Sequence, residues 1–316
     1  MFVRRRLELI AWLVGLAILL TQFPIGECYS VAPRLPYRSS LFSSSAADTS
    51  QSSNNRNILS FDQAVMSRFA CKSFQRANAT VPECVTASPS DPEIIRQALE
   101  CIDMARLAPS SFNTQPYKVV MVHNPEQKLA LSRYCLGPNA DRVRDADCTA
   151  VFLADRKVLK TLPRFSQFLQ QQNRQMTKLL AFYIAVFSSG YPLPRILSAI
   201  LSFSFRWAMS MLNIVTRILR LPPTLPTLSS TETWSTKNAM LVAMTYMLAC
   251  SSRGLATIPM EGIDGPGIRR VLRIPSRYAI PLVIATGRAA SPMTNLDWRS
   301  RRYPREEMIY ENQFGG

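Results

Sequence analysis

The chain has 316 residues, with 37 Lys and Arg against 21 acidic residues and a formal net charge of +16. That length suits one or two domains of roughly 100–200 residues with a core that needs no disulfide or metal staple, and the charge points to an anionic partner such as nucleic acid, a membrane surface or a phosphate ligand. Seven cysteines without a C-x-x-C pair argue against a zinc site or a disulfide framework, and a single histidine, His123, excludes mechanisms built on paired histidines.

Arg4, Arg5 and Arg6 precede an uncharged run from Leu9 to Gly26, most apolar from Leu9 to Leu20. With small residues near Cys28-Tyr-Ser30, residues 1–30 have the layout of a secretory signal peptide. The strongly apolar part is shorter than the ~20 residues that a spanning helix wants, which weighs against a permanent anchor. Residues 31–57 hold eight Ser, three Arg and one acidic residue, Asp48. Such a composition forms no core and resembles an organelle transit peptide. Signal and transit segments in series form the double address of a plastid inside extra membranes; plain secretion with a Ser-rich linker is the alternative, and Asn78-Ala-Thr80 would then be a glycosylation acceptor.

The folded part is expected over residues 58–316. Asp62–Phe69 reads as a short helix, followed by the basic stretch Arg68-Phe-Ala70-Cys-Lys72-Ser-Phe74. Asp91-Pro92-Glu93 supplies a cap, a proline at the first helical position and an early acid. The helix it opens reaches about Leu107, with Ile95, Leu99, Ile102 and Leu107 near one face. It runs into the polar loop Ala108–Tyr117, where three hydroxyls, two carboxamides and an aromatic between two prolines suit a flat, heteroatom-rich ligand, or else an ordinary turn. Apolar strands are expected at Lys118–Val122, Ala150–Ala154 and Ile280–Ala285, with a charged helix around Glu126–Tyr134. Unbroken apolar strands separated by helical patterns indicate a buried sheet in an α+β protein. His123, at a strand end, reads as a surface polar residue.

Residues 160–228 form an unusually apolar helical insert. From Arg195 onward, Arg195, Ser198, Ser202, Arg206, Ser210, Asn213, Arg217 and Arg220 recur in steps of three and four, which places them on one stripe of a helix roughly 40 Å long. The wide apolar remainder needs a cover: the protein's own core or a partner subunit, or an anionic membrane touching residues 179–221. Pro222-Pro-Thr-Leu-Pro226 ends the insert. Thr231 or Thr233 then caps a helix with the body Trp234–Ser252, stopped by Gly254. The segment Gly254-Leu…Pro259-Met260-Glu261-Gly262 follows directly.

Three separated segments share one pattern. Arg68-x-Ala70-x-Lys72-x-Phe74, the loop Ala108–Tyr117 with its P-S-S-x-N-x-Q-P-Y run, and Gly254-Leu…Pro259-Met-Glu-Gly262 resemble the FMN-dependent nitroreductase family over roughly residues 60–155 and 230–310. The resemblance implies a central mixed or antiparallel sheet wrapped by helices and an intertwined homodimer with FMN in the subunit interface. It also implies an activity: hydride passes from NADPH or NADH through flavin N5 to a small-molecule acceptor such as a nitroaromatic or a quinone, by a ping-pong scheme.

Carried over residue by residue, the resemblance assigns Arg68 and Ala70 to the flavin phosphate and Lys72 to the ring. Cations suit both the phosphate dianion and the charge on the reduced ring. The family's Ser is Ala70 here, so one phosphate hydrogen bond is missing. Pro109, Ser110 and Ser111 would meet the flavin held mainly by the other subunit, and Asn113, both donor and acceptor, the pyrimidine edge. Gln115 and Tyr117 support packing. Pro259, Met260, Glu261 and Gly262 form the turn whose backbone N–H groups point at flavin N5 and O4, so that no side chain is assigned as catalytic and no metal is expected. Arg302, in the basic closing stretch, aligns with a phosphate-binding arginine, where a plain basic tail is the alternative. The insert would shape an apolar acceptor pocket. Rival assignments are a dehalogenating or flavin-fragmenting relative, and a membrane-associated FMN-binding protein without turnover. Nucleic acid is not expected, because the basic residues are dispersed.

Overall fold

The computed structural model describes residues 58–76, 87–188, 194–218, 228–291 and 302–314. The leader expectations for residues 1–57, the acceptor tripeptide at Asn78, the Pro222–Pro226 stretch and Arg299–Arg301 lie outside these residues. By contacts the chain falls into two units, one of residues 1–55 with 203–228 and the other of residues 56–202 with 229–316.

The second unit carries the sheet. Four strands, β1 (Tyr117–Val122), β2 (Cys148–Asp155), β3 (Ala256–Met260) and β4 (Tyr278–Gly287), lie in the order β1-β2-β4-β3. All three pairings are antiparallel, with Val120 opposite Val151, Val151 opposite Val283 and Ile258 opposite Ala285. The unbroken apolar run of β2 has the reason expected of it: both faces are covered. Ala150, Phe152 and Ala154 enter one core cluster, and Val151 and Leu153 the other, as the two-residue period of a strand requires.

The helices of this unit are α1 (Phe61–Ser67), α2 (Pro92–Ala105), α3 (Pro125–Ser132), α4 (Pro138–Asp145), α5 (Leu162–Gln171) and α6 (Lys178–Ser188), then α8 (Thr231–Ser252), α9 (Gly265–Val271) and the short α10 (Arg305–Met308). The first core cluster joins α2 and α8 to one face of the sheet, while residues of α3, α4 and α9 cover the other face. Between them α8 is the spine. Its Tyr246 is fully buried, with its hydroxyl 2.9 Å from the Thr286 hydroxyl on β4.

The caps follow local chemistry. Ser60 and Gln63 form a reciprocal capping box on α1, and Asp91 accepts from the Glu93 N–H at 2.8 Å. On α8 the cap is Ser230, one position before the expected threonines, accepting from the Thr233 N–H at 3.0 Å. Gly254 stops that helix at φ 71°.

Two expectations need correction. On α2 the buried stripe is Ile94, Gln97, Ala98, Cys101 and Ala105, while Leu99 and Leu107 are 44% and 73% exposed. Small residues allow α2 to approach α8 closely, so the larger leucines are turned outward. The segment after Gly254 is a strand, β3, and not merely a turn. The charged helix expected around Glu126–Tyr134 is present as α3, and a further helix, α4, begins after Gly137 at φ 54°.

The helix α7 (Arg195–Ile218) crosses from the second unit into the first, of which it supplies residues 203–218. Among the described residues no helix is long and apolar enough to cross a membrane. Within the single chain, Phe203, Trp207, Ile214 and Ile218 of its apolar face are exposed, while Ser202 of the polar stripe is buried.

Candidate functional site

The basic segment after α1 runs along the outer edge of β3. Ala70 bridges Thr257, the Cys71 N–H donates to the Thr257 carbonyl at 3.0 Å, and the Ala290 N–H donates to the Ser73 carbonyl at 3.1 Å. Cys71 and Phe74 are buried and hold the segment down, whereas Ala70 and Lys72 stay exposed. Burial pushes the Cys71 thiol up to about 11, which rules it out as a neutral-pH nucleophile. Arg68 lines a cavity of about 300 Å3 with Ser67, Phe69, Ser251, Thr257 and Ser291 among its other walls.

This edge pairing explains a proline inside a strand. Thr257 turns its carbonyl outward to Cys71, and Pro259, two residues on, faces the same way. Its missing N–H therefore costs no bond to β4. Met260 is buried, and the chain then leaves the sheet at Glu261 and Gly262. The Gly262 carbonyl accepts two donors, the Leu136 N–H at 3.0 Å and Asn139 Nδ2 at 3.2 Å. Among the described residues, neither the Glu261 nor the Gly262 N–H has an acceptor. A side chain at Gly262 would come to 3.0 Å from Asn139 Nδ2, so glycine keeps this approach open.

Two residues not singled out in the sequence connect these segments. Arg142 Nη1 donates to Asn139 Oδ1 at 2.7 Å, and Arg142 Nε donates to the Lys72 carbonyl at 3.4 Å. Asn139 and Arg142 thus link the Lys72 backbone to the Gly262 turn. Both project from α4, whose Gly137-Pro138 start is a helix signal, and their i, i+3 spacing puts them on one face.

The loop Ala108–Tyr117 is built differently. Phe112, Asn113 and Gln115 all have positive φ, 54°, 57° and 47°. For non-glycine residues this costs of order 1–3 kcal/mol each and persists only where surroundings enforce it. The enforcers are visible. Buried Asn238 of α8 accepts from the Ser111 N–H at 2.7 Å, Ser110 Oγ accepts from the Gln115 N–H at 3.1 Å, and the Phe112 ring packs against Phe187 of α6 at 5.7 Å. Tyr117 is buried with its hydroxyl on the Arg106 carbonyl, which is the packing role expected of it.

The structure therefore sets Arg68, Ala70 and Lys72 along the edge of β3, with Arg68 in a cavity at the strand's start beside Gly254–Thr257, while Pro259, Met260, Glu261 and Gly262 lie at its other end, tied to the Lys72 backbone through Asn139 and Arg142. Pro109, Ser110, Ser111 and Asn113 do not line the Arg68 cavity; they belong to the α2–β1 connection over α8. Arg302 is exposed just ahead of α10 and does not line the cavity either.

The profile of the Nitroreductase family matches residues 85–189 and 217–288, more than half of the chain. The chain belongs to the nitroreductase family. A curated relative, the NADH dehydrogenase of Thermus thermophilus, is 23% identical over 211 residues, which is 66% of this chain and 82% of the relative. Among solved structures, a nitroreductase family protein from Streptococcus pneumoniae is 22% identical with a TM-score of 0.53, covering 80% of this chain and all of its own. A nitroreductase from Exiguobacterium sibiricum, solved in complex with FMN, is 17% identical with a TM-score of 0.52, covering 83% of this chain and all of its own. The fold of this nitroreductase is thus the one expected from its motifs. The family match passes over residues 190–216, the interval that holds most of α7.

Proposed function

We propose that this nitroreductase is an FMN-dependent oxidoreductase that takes electrons from NAD(P)H and delivers them to a small apolar acceptor, a nitroaromatic or a quinone, in two alternating half-reactions as a homodimer. Family membership supports the enzyme class and FMN with NAD(P)H. The observation that carries the site is the pair of N–H groups at Glu261 and Gly262, without acceptors among the described residues while the Gly262 carbonyl is held by Leu136 and Asn139. Two preset backbone donors at one end of β3 and the Arg68 cation in a cavity at the other suit an electron-rich ring edge and a phosphate.

FMN, when bound, supplies the centre that accepts hydride from NAD(P)H and hands electrons to the acceptor. Arg68, with the Ser67 and Ser251 hydroxyls around its cavity, would hold the phosphate, with Arg302 as a second cation. Lys72 would face the ring, its backbone positioned by Arg142. Glu261 and Gly262 would present their N–H groups, and Gly262 would leave room for close approach. Pro109, Ser110, Ser111 and Asn113 would complete the site of the partner subunit, which accounts for their distance in the chain's own fold from the Arg68 cavity. The leader of residues 1–57 would deliver the protein to a plastid, and imaging of a leader fusion tests that address.

Purified protein should be yellow, should elute at twice the chain mass, and should bleach under NADPH without oxygen. Colourless protein whose melting is indifferent to added FMN overturns the proposal. Yellow protein that does not oxidise NADPH supports instead a flavin-binding role without turnover, a reading favoured by Ala70 standing where the family has serine and by the apolar insert. A panel of reducible acceptors given to the reduced protein then separates nitro, quinone and halogenated substrates.

A further inference from the structure

One feature of the chain lies outside the flavin chemistry. The helix α7 contains no acidic residue and three arginines, Arg195, Arg206 and Arg217. In its later part Phe203, Trp207, Met211, Ile214 and Ile218 recur in steps of four, four, three and four. At 3.6 residues per turn they share an arc of about 80°. All five are exposed, from 38% at Met211 to 74% at Ile218, while Met209 on the opposite side is buried. Arg206 and Arg217 fall beside one edge of the apolar arc. A helix turning its greasy stripe outward, with arginines along the rim and a tryptophan in the middle, is inverted relative to one that serves a water-facing surface.

Three observations select the occupant. The family match skips residues 190–216, which hold Phe203, Trp207, Met211 and Ile214, so most of this face is no part of what the family has in common. No described helix is long and apolar enough to cross a bilayer, which leaves an in-plane position. The charges beside this face are all positive, Arg206 and Arg217 along one edge, on a chain of net charge +16, which favours anionic headgroups over another copy of the same basic chain. We propose that the outward face of α7 from Phe203 to Ile218 docks onto an anionic lipid surface, with Trp207 at acyl-chain depth and Arg206 and Arg217 reaching to the headgroups.

The test compares the full chain with Trp207→Phe, a change that keeps the apolar stripe. Trp12, Trp234 and Trp298 are common to both proteins, so the difference in emission reports Trp207 alone, whatever the leader does. With vesicles of phosphatidylcholine and phosphatidylglycerol, the Trp207 component should shift to the blue and be quenched by brominated acyl chains. Arg206→Gln with Arg217→Gln should weaken that quenching by about 25-fold in lipid titrations, at about fivefold per arginine. A Trp207 component untouched by brominated lipid overturns the proposal, as does equal quenching on phosphatidylcholine alone. A component already blue without vesicles, and reverting on dilution, overturns it in favour of chain–chain contact. The yellow colour and NADPH bleaching test the flavin reading separately, so either can fail alone.

Discussion

Replacing Asn139 by alanine removes two contacts at the joint between α4 and the Gly262 turn: the 3.2 Å bond from Nδ2 to the Gly262 carbonyl and the 2.7 Å bond from Arg142 to Oδ1. A neutral bond contributes about 1 kcal/mol and one to a charged group about 1.5–3 kcal/mol. Arg142 is only half-buried and can turn to water, so the larger figure is discounted and the expected loss of stability is about 2 kcal/mol. The Leu136 N–H still holds the Gly262 carbonyl at 3.0 Å, so the turn loosens and does not unfold. If that turn presents its N–H groups to FMN, about 1.4 kcal/mol of the loss should reappear in binding, an approximately tenfold rise in Kd. Flavin-fluorescence titration of the apoprotein measures the Kd, and urea unfolding at unchanged m-value measures stability. Asn139→Asp, which keeps the acceptor for Arg142 and loses the donor to Gly262, should fall between alanine and the parent. An alanine variant that loses the stability yet binds FMN within about twofold of the parent would refute the reasoning, since the joint would then be packing only.

Ala70→Ser should tighten FMN binding by about five- to tenfold by adding a donor for a charged phosphate oxygen, read in the same titration; unchanged affinity would place the phosphate elsewhere. Gly267→Ala should cost about 2–3 kcal/mol in urea melts, because its Cβ would sit 1.9 Å from the Tyr134 ring, and a loss below about 0.5 kcal/mol would contradict that packing. Burial lifts the Cys135 thiol from 9.0 to about 11. Below pH 9 both folded and unfolded chains carry this proton; between pH 9 and about 11 the unfolded chain binds fewer protons, so stability falls with rising pH by about 2 kcal/mol through this group. Cys135→Ala should flatten the stability curve over that window, and an unaltered slope would remove Cys135 as a cause.

Local chemistry and periodicity were sufficient for much of the fold. The Asp91-Pro92 start of α2, the Gly254 stop of α8 and the apolar runs of β1, β2 and β4 could be read directly, because each depends on neighbours within a few residues. The three motifs carrying Arg68, Asn113 and Gly262 were equally visible, since each is a short continuous run of residues. Other features were decided only by packing between distant segments. The face that α2 buries was misjudged because Ala98, Cys101 and Ala105 fit against α8 where Leu99 would not. Pro259 hid β3, because a proline is acceptable in a strand only at an edge, and edges exist only once strands have been ordered. Asn139 and Arg142 had no signal of their own; their role arises from α4 being laid across the end of β3, between Lys72 and Gly262. For the same reason the polar stripe of α7 could be drawn from its spacing, while its orientation, greasy side outward, was a matter for the tertiary structure: periodicity determines which residues share a face, and only the neighbours of a helix determine which face meets water.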